Sequence, residues 1–101
     1  MKVDFIIVGQ GIAGTSFAFE LLRQNKSFII IDSNERITAS KVALGIYNPL
    51  VLKWFSKVWR IDEQLKYFYP FYNSLGKFLN KKIIYDINIY KYLSNSLQQN
   101  N

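Results

Sequence analysis

Two short apolar runs on either side of a glycine-rich segment constrain the fold of this chain more than any other feature of its sequence. The first run, Val3–Val8, is interrupted only by Asp4, and the second is Phe28–Ile31. Apolar runs of this length are typical of strands that are buried on both faces of a parallel sheet. Between them, apolar positions at helical spacing predict a helix over 12–25. The chain therefore begins with a predicted β-α-β unit of about the usual ~30 residues.

The glycine-rich segment has the spacing Gly-x-Gly-x-x-Gly, which is a weak signal until its surroundings are considered. Here it follows a predicted strand, opens a predicted helix, and precedes a strand that ends at Asp32. In a dinucleotide site Gly9 would permit the tight turn, Gly11 the approach of a pyrophosphate, and Gly14 the packing of helix on strand. The helix N-terminus would offer its N–H groups to the phosphates. The series predicts a dinucleotide site.

Asp32 lies 18 residues after Gly14, close to the ~20 expected for the acid of this fingerprint. Its carboxylate would accept hydrogen bonds from the ribose hydroxyls of an adenosine. An acid at this position argues against a ligand with a 2′-phosphate. The alternative is an Asp that only ends a strand in solvent.

The rest of the chain predicts further elements. Apolar positions on one face predict a helix over Asp62–Leu79 with Asp62 as its N-cap, and Pro70 is expected to kink or split that helix. Imperfect alternation over Lys82–Leu93 predicts one or two strands. Residues 94–101 are polar and rich in Gln and Asn. We therefore expect one partial domain over 1–93 and a polar tail.

The chain has 101 residues with no Cys and no His, which limits the chemistry it can perform. Disulfides, thiolate or imidazole catalysis and the usual zinc sites are excluded within these residues. We expect no metal site, and no catalytic acid, base or nucleophile can be named. Any redox chemistry would come from a cofactor.

The net charge of +6 is concentrated in the second half, where residues 51–101 contribute +5. Lysines are interleaved with aromatic residues between Trp54 and Tyr72. Such a pattern can stack on and neutralise nucleic acid. Aromatic residues at helical spacing are more often part of a core, which is the interpretation we prefer.

Targeting and membrane signals are weak in this sequence. The apolar stretches are far shorter than the ~20 residues that cross a bilayer. Asp4 and the glycines of the motif interrupt any signal-peptide core. We expect a cytoplasmic protein without a membrane partner.

The segment after Asp32 favours FAD over NAD as the dinucleotide. A nicotinamide-binding domain would continue with another helix and a third buried strand, and nothing between Ser33 and Trp59 has that pattern. Ser33–Ser40 is polar and loop-like, and Ala39–Pro49 is a segment of small residues ending in Asn-Pro. Such a loop could wrap a second side of a long, extended ligand.

The strand-glycine-helix-acid unit, followed by an Ala-Ser…Gly-Ile-x-x-Pro loop, resembles the N-terminus of FAD-dependent oxidoreductases of the D-amino-acid oxidase and glycine oxidase type. It is also similar to the flavin half of bifunctional tRNA wobble-uridine modification enzymes. The resemblance covers roughly the first 80 residues, and the loop over 40–49 is its more discriminating part. Family members often have additional glycines where this chain has Ala43 and Leu44.

The resemblance implies an α/β chain that forms the N-terminal part of a Rossmann-like FAD-binding fold and is incomplete. It implies a set of residues that surround the pyrophosphate, ribose, ribityl chain or flavin ring of FAD. By position in this sequence they are Gly9, Gly11, Ile12, Ala13, Gly14, Asp32, Ser40, Ala43 and Gly45.

The function that the resemblance implies is oxidation of a C–N bond in a small amino acid or amine, with hydride transfer to the flavin. We expect this chain to be the FAD-binding segment of such an enzyme and to be inactive alone. The alternatives are the flavin domain of a tRNA-modifying enzyme, for which tRNA is a possible but not favoured partner, and a non-catalytic dinucleotide-binding module.

Overall fold

Two parallel strands joined by a helix form the start of the structure, a computed structural model that describes residues 1–51 and 54–93. Strand β1 (Phe5–Val8) pairs with β2 (Phe28–Ile31), with Phe5 opposite Phe28. Helix α1 (Ile12–Arg23) connects them. The mixed α/β class and the β-α-β order are confirmed. The chain divides into two compact units between residues 46 and 47.

The core of the first unit lies between α1 and one face of the strand pair. Ile7, Ala18 and Leu21 are buried, and Phe28 and Ile30 pack against them. Because successive strand side chains alternate between faces, the apolar residues of both strands divide equally between the helix side and the opposite side. In the structure α1 packs on the face that contains Ile7.

The opposite face of the strand pair is exposed, so the prediction of strands buried on both faces is wrong for this structure. The exposed fractions are 63% for Ile6, 82% for Val8 and 55% for Ile31. In the described residues the sheet of β1 and β2 has two strands and a helix on one face. The sequence pattern predicts the hydrophobicity of the strands correctly. It does not tell whether another element covers the second face of the strand pair.

Strand β1 begins two residues later than predicted, and Asp4, just before it, is hydrogen-bonded to Ser27, just before β2. Its Oδ2 accepts hydrogen bonds from both the backbone N–H and the hydroxyl of Ser27, at 2.9 Å each. The Asp4 backbone N–H in turn donates to the Ser27 hydroxyl at 3.0 Å. These hydrogen bonds lower the pKa of Asp4.

The segment after Asp32 contains a short helix that the sequence pattern did not predict. Helix α2 (Ala39–Val42) begins after Thr38, whose hydroxyl oxygen accepts a hydrogen bond from the Lys41 backbone N–H. Thr is a favoured N-cap residue. The predicted loop over 33–40 is therefore helical at its last two residues.

The second unit consists of a small hairpin and a long helix. Strand β3 (Leu50–Val51) pairs antiparallel with β4 (Ser56–Lys57), and α3 follows (Ile61–Leu79). The predicted N-cap at Asp62 is wrong, since the cap position is Arg60 in a left-handed conformation. Asp62 lies in the first turn instead, where a carboxylate is favourable.

Pro70 does not split α3, which runs without interruption for 19 residues. A proline removes one backbone donor and crowds the preceding turn. One lost bond in a helix of this length leaves most of the hydrogen bonding in place. The Ser74 hydroxyl donates to the Pro70 carbonyl at 2.9 Å.

The predicted strands over 82–93 are wrong, because this segment has no regular secondary structure. Of the alternating residues Ile83 is half-buried, whereas Tyr85, Ile87 and Ile89 are exposed. Alternation in sequence does not produce a buried face here, and no described strand pairs with the segment. The predicted tail over 94–101 lies outside the described residues.

The aromatic residues of the second unit meet the prediction of a core only in part. The Phe68 ring lies 4.5 Å from that of Tyr47 and 4.8 Å from that of Tyr72. Trp54, Trp59 and Tyr67 are exposed, so they do not belong to a core. Among the described residues, no helix is long and apolar enough to cross a membrane.

Candidate functional site

The predicted glycine loop lies at the carboxyl ends of both parallel strands. The Gly9 backbone N–H donates to the Ile31 carbonyl at 2.8 Å, which extends the strand pairing by one bond. Gly9 then turns the chain with φ +95°, a conformation that favours glycine. The loop therefore leaves the sheet immediately after β1 and leads into α1.

Gly14 allows α1 to pack closely on the loop. A Cβ at this position would lie 2.1 Å from the Gly9 carbonyl oxygen and 3.2 Å from Cγ2 of Ile7. No side chain can be accommodated at the first distance without movement of the backbone. The structural role predicted for Gly14 is confirmed.

Asp32 contacts the glycine loop directly. Its Oδ2 accepts a hydrogen bond from the Gln10 backbone N–H at 2.7 Å, and its Oδ1 accepts one from Asn34 at 2.8 Å. The Asn34 and Gln10 N–H groups, with Lys41 nearby, lower the pKa of Asp32. Since each carboxylate oxygen can accept two hydrogen bonds, both oxygens retain capacity for a ligand hydroxyl.

The N-terminus of α1 is suited to an anion. Gly11 occupies its cap position without a side-chain cap, and there is no acidic residue in the first turn. Within the part of the chain that the structure describes, the N–H groups of Ala13 and Gly14 have no hydrogen-bond acceptor. The helix dipole adds a partial positive charge at the same place.

Ser40 reaches this helix terminus from α2. Its hydroxyl oxygen accepts a hydrogen bond from the Ile12 backbone N–H at 3.0 Å. A Cβ on Gly11 would lie only 2.9 Å from that oxygen. The hydroxyl thus occupies the space beside Gly11 and partly satisfies the helix terminus in the absence of a side-chain cap.

The structure joins several of the predicted site residues through hydrogen bonds or close packing, but among the described residues Ala43 and Gly45 have no hydrogen bond to the others. Ala43 ends α2 and Gly45 lies beyond it with φ +71°, and both are exposed. No hydrogen bond in the described structure joins either residue to the glycine loop. Leu44 between them is 88% exposed, so its bulk meets no obstacle.

Sequence reasoning did not identify two contacts that hold the site together. One is the bond from the Gln10 backbone to Asp32, because a backbone donor leaves no mark in the residue pattern. The other is the position of Ser40, which depends on α2 and on its cap Thr38. The Thr-Ala-Ser-Lys sequence was a usable signal for a helix start.

The arrangement combines backbone donors for a polyanion with a carboxylate acceptor for hydroxyl groups. No protein-family model matches the chain, and no solved structure matches it significantly. The resemblance to flavin-dependent amine-oxidising enzymes therefore stays a prediction based on the residues named above.

Proposed function

We propose that the first unit binds the ADP portion of FAD and that the chain is the FAD-binding N-terminal segment of an oxidoreductase that oxidises a C–N bond in a small amino acid or amine. The observation that carries the proposal is the α1 N-terminus. It has a glycine at the cap position and no acid in the first turn, and its N–H groups at Ala13 and Gly14 have no acceptor among the described residues. Such a terminus favours a phosphate group.

The pyrophosphate would lie beside Gly9, near the N–H groups that follow Gly11. A Cβ added at Gly9 would meet nothing within 4 Å, whereas at Gly11 it would meet the Ser40 hydroxyl. The absence of both side chains gives an anion access to the backbone N–H groups of Ala13 and Gly14. Within the described residues, the Ser40 hydroxyl has a free O–H donor for a phosphate oxygen while it accepts from Ile12.

The ribose would bind at Asp32. Its carboxylate is held in place by two backbone N–H groups and has a lowered pKa. The ionised carboxylate would accept hydrogen bonds from the ribose hydroxyls. When bound, the flavin would supply the hydride acceptor, and the role of these residues would be to bind and orient it.

Flavin retention tests the proposal, with two aspartates as a matched pair. Asp32 and Asp4 each accept hydrogen bonds at opposite ends of the same strands, and both have lowered pKa values. We expect Asp32→Asn to weaken FAD binding by at least about tenfold, because hydrogen bonds to a charged group are worth about 1.5–3 kcal/mol. Asp4→Asn should leave the affinity unchanged. Equilibrium dialysis against FAD, followed by flavin absorbance after desalting, measures both.

Gly11→Val is the second variant and should abolish flavin retention. Equal retention by wild type, Asp32→Asn and Gly11→Val would contradict the proposed site. Retention that requires these residues, without amine oxidation by any longer chain that contains this segment, would support the dinucleotide-binding module instead of the enzyme. The alternative function, the flavin domain of a tRNA-modifying enzyme, stays a prediction. A salt-sensitive mobility shift of tRNA by this chain would support it.

A further inference from the structure

A groove in the second unit has a chemistry that the proposed flavin site does not use. It lies beside the C-terminal part of α3, with a volume of about 700 Å³. This is within the range of about 300–1,000 Å³ for sites that take small ligands. Its lining includes three lysines, two tyrosines and one carboxylate: Lys77, Lys81, Lys82, Tyr69, Tyr72 and Asp86.

A tight reversal of the chain brings the three lysines to the groove. Helix α3 ends at Leu79, its C-cap Asn80 has φ +53°, and the Lys81 backbone N–H donates to the Gly76 carbonyl at 2.9 Å. Gly76 makes the reversal possible, because a Cβ there would lie 2.7 Å from the Lys81 carbonyl oxygen. The segment after the helix therefore runs back beside its last turn.

The lysines of the groove are available to an anion. In the described part of the chain none of the three forms an ion pair, and only Lys82 has a ring contact, at 5.0 Å from the Tyr85 centroid. With Asp86 the lining keeps a net charge of +2. The partial negative charge of a helix C-terminus, about half a charge, is smaller than this excess. The electrostatics favour a phosphate.

The other lining groups suit a ring and hydroxyl or amino donors. Tyr69 and Tyr72 both line the groove and pack against the Phe68 ring, so they give the groove an aromatic wall of the kind on which a base can stack. Asp86 accepts a hydrogen bond from the Tyr47 hydroxyl at 2.8 Å through Oδ1. Its Oδ2 has no described partner and can accept from a sugar hydroxyl or an amino group.

We propose that this groove binds a nucleoside monophosphate, with the lysines holding the phosphate and the tyrosines and Asp86 contacting the nucleoside. The proposal does not rest on the flavin site. The phosphate, the ring and the hydroxyl donors of one small molecule match the three kinds of lining group in a groove of this volume.

Titration of the full, ¹⁵N-labelled chain with cytidine 5′-monophosphate tests the proposal by NMR, because each amide reports its own location. Cytidine without phosphate is the ligand control. The variant is K77Q/K81Q/K82Q, and the matched control is K2Q/K26Q/K66Q, which removes the same charge at exposed lysines outside the groove. The single variants Lys81→Gln and Lys82→Gln serve if the triple variant loses its dispersed spectrum.

We expect saturable shifts of amides in the segment 69–86, at least tenfold weaker with cytidine or with the groove variant, and unchanged with the control variant. Equal weakening in both triple variants would overturn the proposal, because the binding would reflect net charge alone. Shifts confined to residues 9–14 would overturn it by placing the ligand at the glycine loop. Binding of an RNA oligonucleotide without binding of the mononucleotide would overturn it in favour of a nucleic-acid surface.

Discussion

Each of the two compact units is stabilised internally by a different kind of contact. In the first unit buried aliphatic side chains lie between a helix and a strand pair, and two aspartates bind backbone N–H groups at the two ends of that pair. In the second unit Gly76 is the only buried residue among those described. The second unit is instead held by contacts between half-exposed aromatic rings. It also has exposed ion pairs, such as that of Lys57 with Asp62 at 3.0 Å.

This difference shows which kinds of contact allow a fold to be predicted from its sequence. Buried aliphatic residues and glycines with a fixed spacing leave a pattern, because each position has one structural requirement. Exposed ion pairs are worth at most about 1 kcal/mol and do not need particular positions. The first unit was therefore predicted more accurately than the second.

The largest expected effect comes from placing a methyl group on each tightly packed glycine. Gly14→Ala should destabilise the first unit by about 3 kcal/mol, the upper end for overpacking, because its Cβ would meet the Gly9 carbonyl oxygen at 2.1 Å. Gly76→Ala should destabilise the second unit by about 2 kcal/mol, because its Cβ would meet the Lys81 carbonyl oxygen at 2.7 Å. Native-state hydrogen exchange measures each unit separately.

Each glycine variant is the control for the other. If the units are independent, Gly14→Ala should leave the exchange protection of α3 unchanged, and Gly76→Ala should leave that of α1 unchanged. Loss of protection throughout the chain in either variant would contradict the comparison and show that the units unfold together.

A smaller effect should be a difference between the two units in how their stability depends on pH. Asp4 and Asp32 have lowered pKa values in the folded chain, so their stabilising contribution is fully present above the unfolded pKa and is lost as pH falls through the folded one. The first unit should therefore lose stability below about pH 4. Asp32→Asn should reduce both the stability at neutral pH and its dependence on acid.

Denaturant titrations monitored by amide signals of α1 at several pH values measure this effect. Asp86→Asn is the control in the second unit, where it should leave the acid sensitivity of α1 unchanged. An acid sensitivity of α1 that Asp4→Asn and Asp32→Asn together do not reduce would show that other carboxyl groups cause it.

The smallest expected effect concerns the hydrogen bond that Ser40 of α2 accepts from the N-terminus of α1. Ser40→Ala removes the acceptor for the Ile12 backbone N–H and should cost about 1 kcal/mol, as for other lost N-caps. Thr38→Ala is a useful comparison, since it removes the cap of α2 and should release Ser40 indirectly. Equal stability of wild type and both variants would show that water replaces the hydroxyl at α1.

The sequence was sufficient for β1, α1 and β2 because Gly9, Gly14 and the two apolar runs each require a specific backbone arrangement. It was sufficient for α3 but not for its start, since Arg60 reaches the cap position through a left-handed conformation that no residue type specifies. The hairpin of β3 and β4 was missed because two-residue strands are too short to show a period. The strands predicted over 82–93 fail because alternation has no effect without a partner strand.

Within the candidate site, the fingerprint residues could be predicted because their spacing has a mechanical meaning. The hydrogen bond between Asp32 and Gln10 could not, since it depends on where the chain turns after β2. Ala43 and Gly45 were chosen by resemblance alone, and both lie in an exposed segment that, in the part of the chain the structure describes, forms no hydrogen bond to the glycine loop. Ser40 was also chosen by resemblance, and its hydroxyl accepts a hydrogen bond from Ile12 at the start of α1, so the resemblance identified one loop residue that contacts the glycine segment.

The strand pair has an outer edge on each side, because neither β1 nor β2 has a second neighbour among the described strands. Unpaired N–H and C=O groups along such an edge are a template on which another extended segment can form hydrogen bonds. Exposed Ile6, Val8 and Ile31 would add apolar contact to any strand that joins there. When purified alone, this chain should therefore become more prone to self-association as its concentration rises.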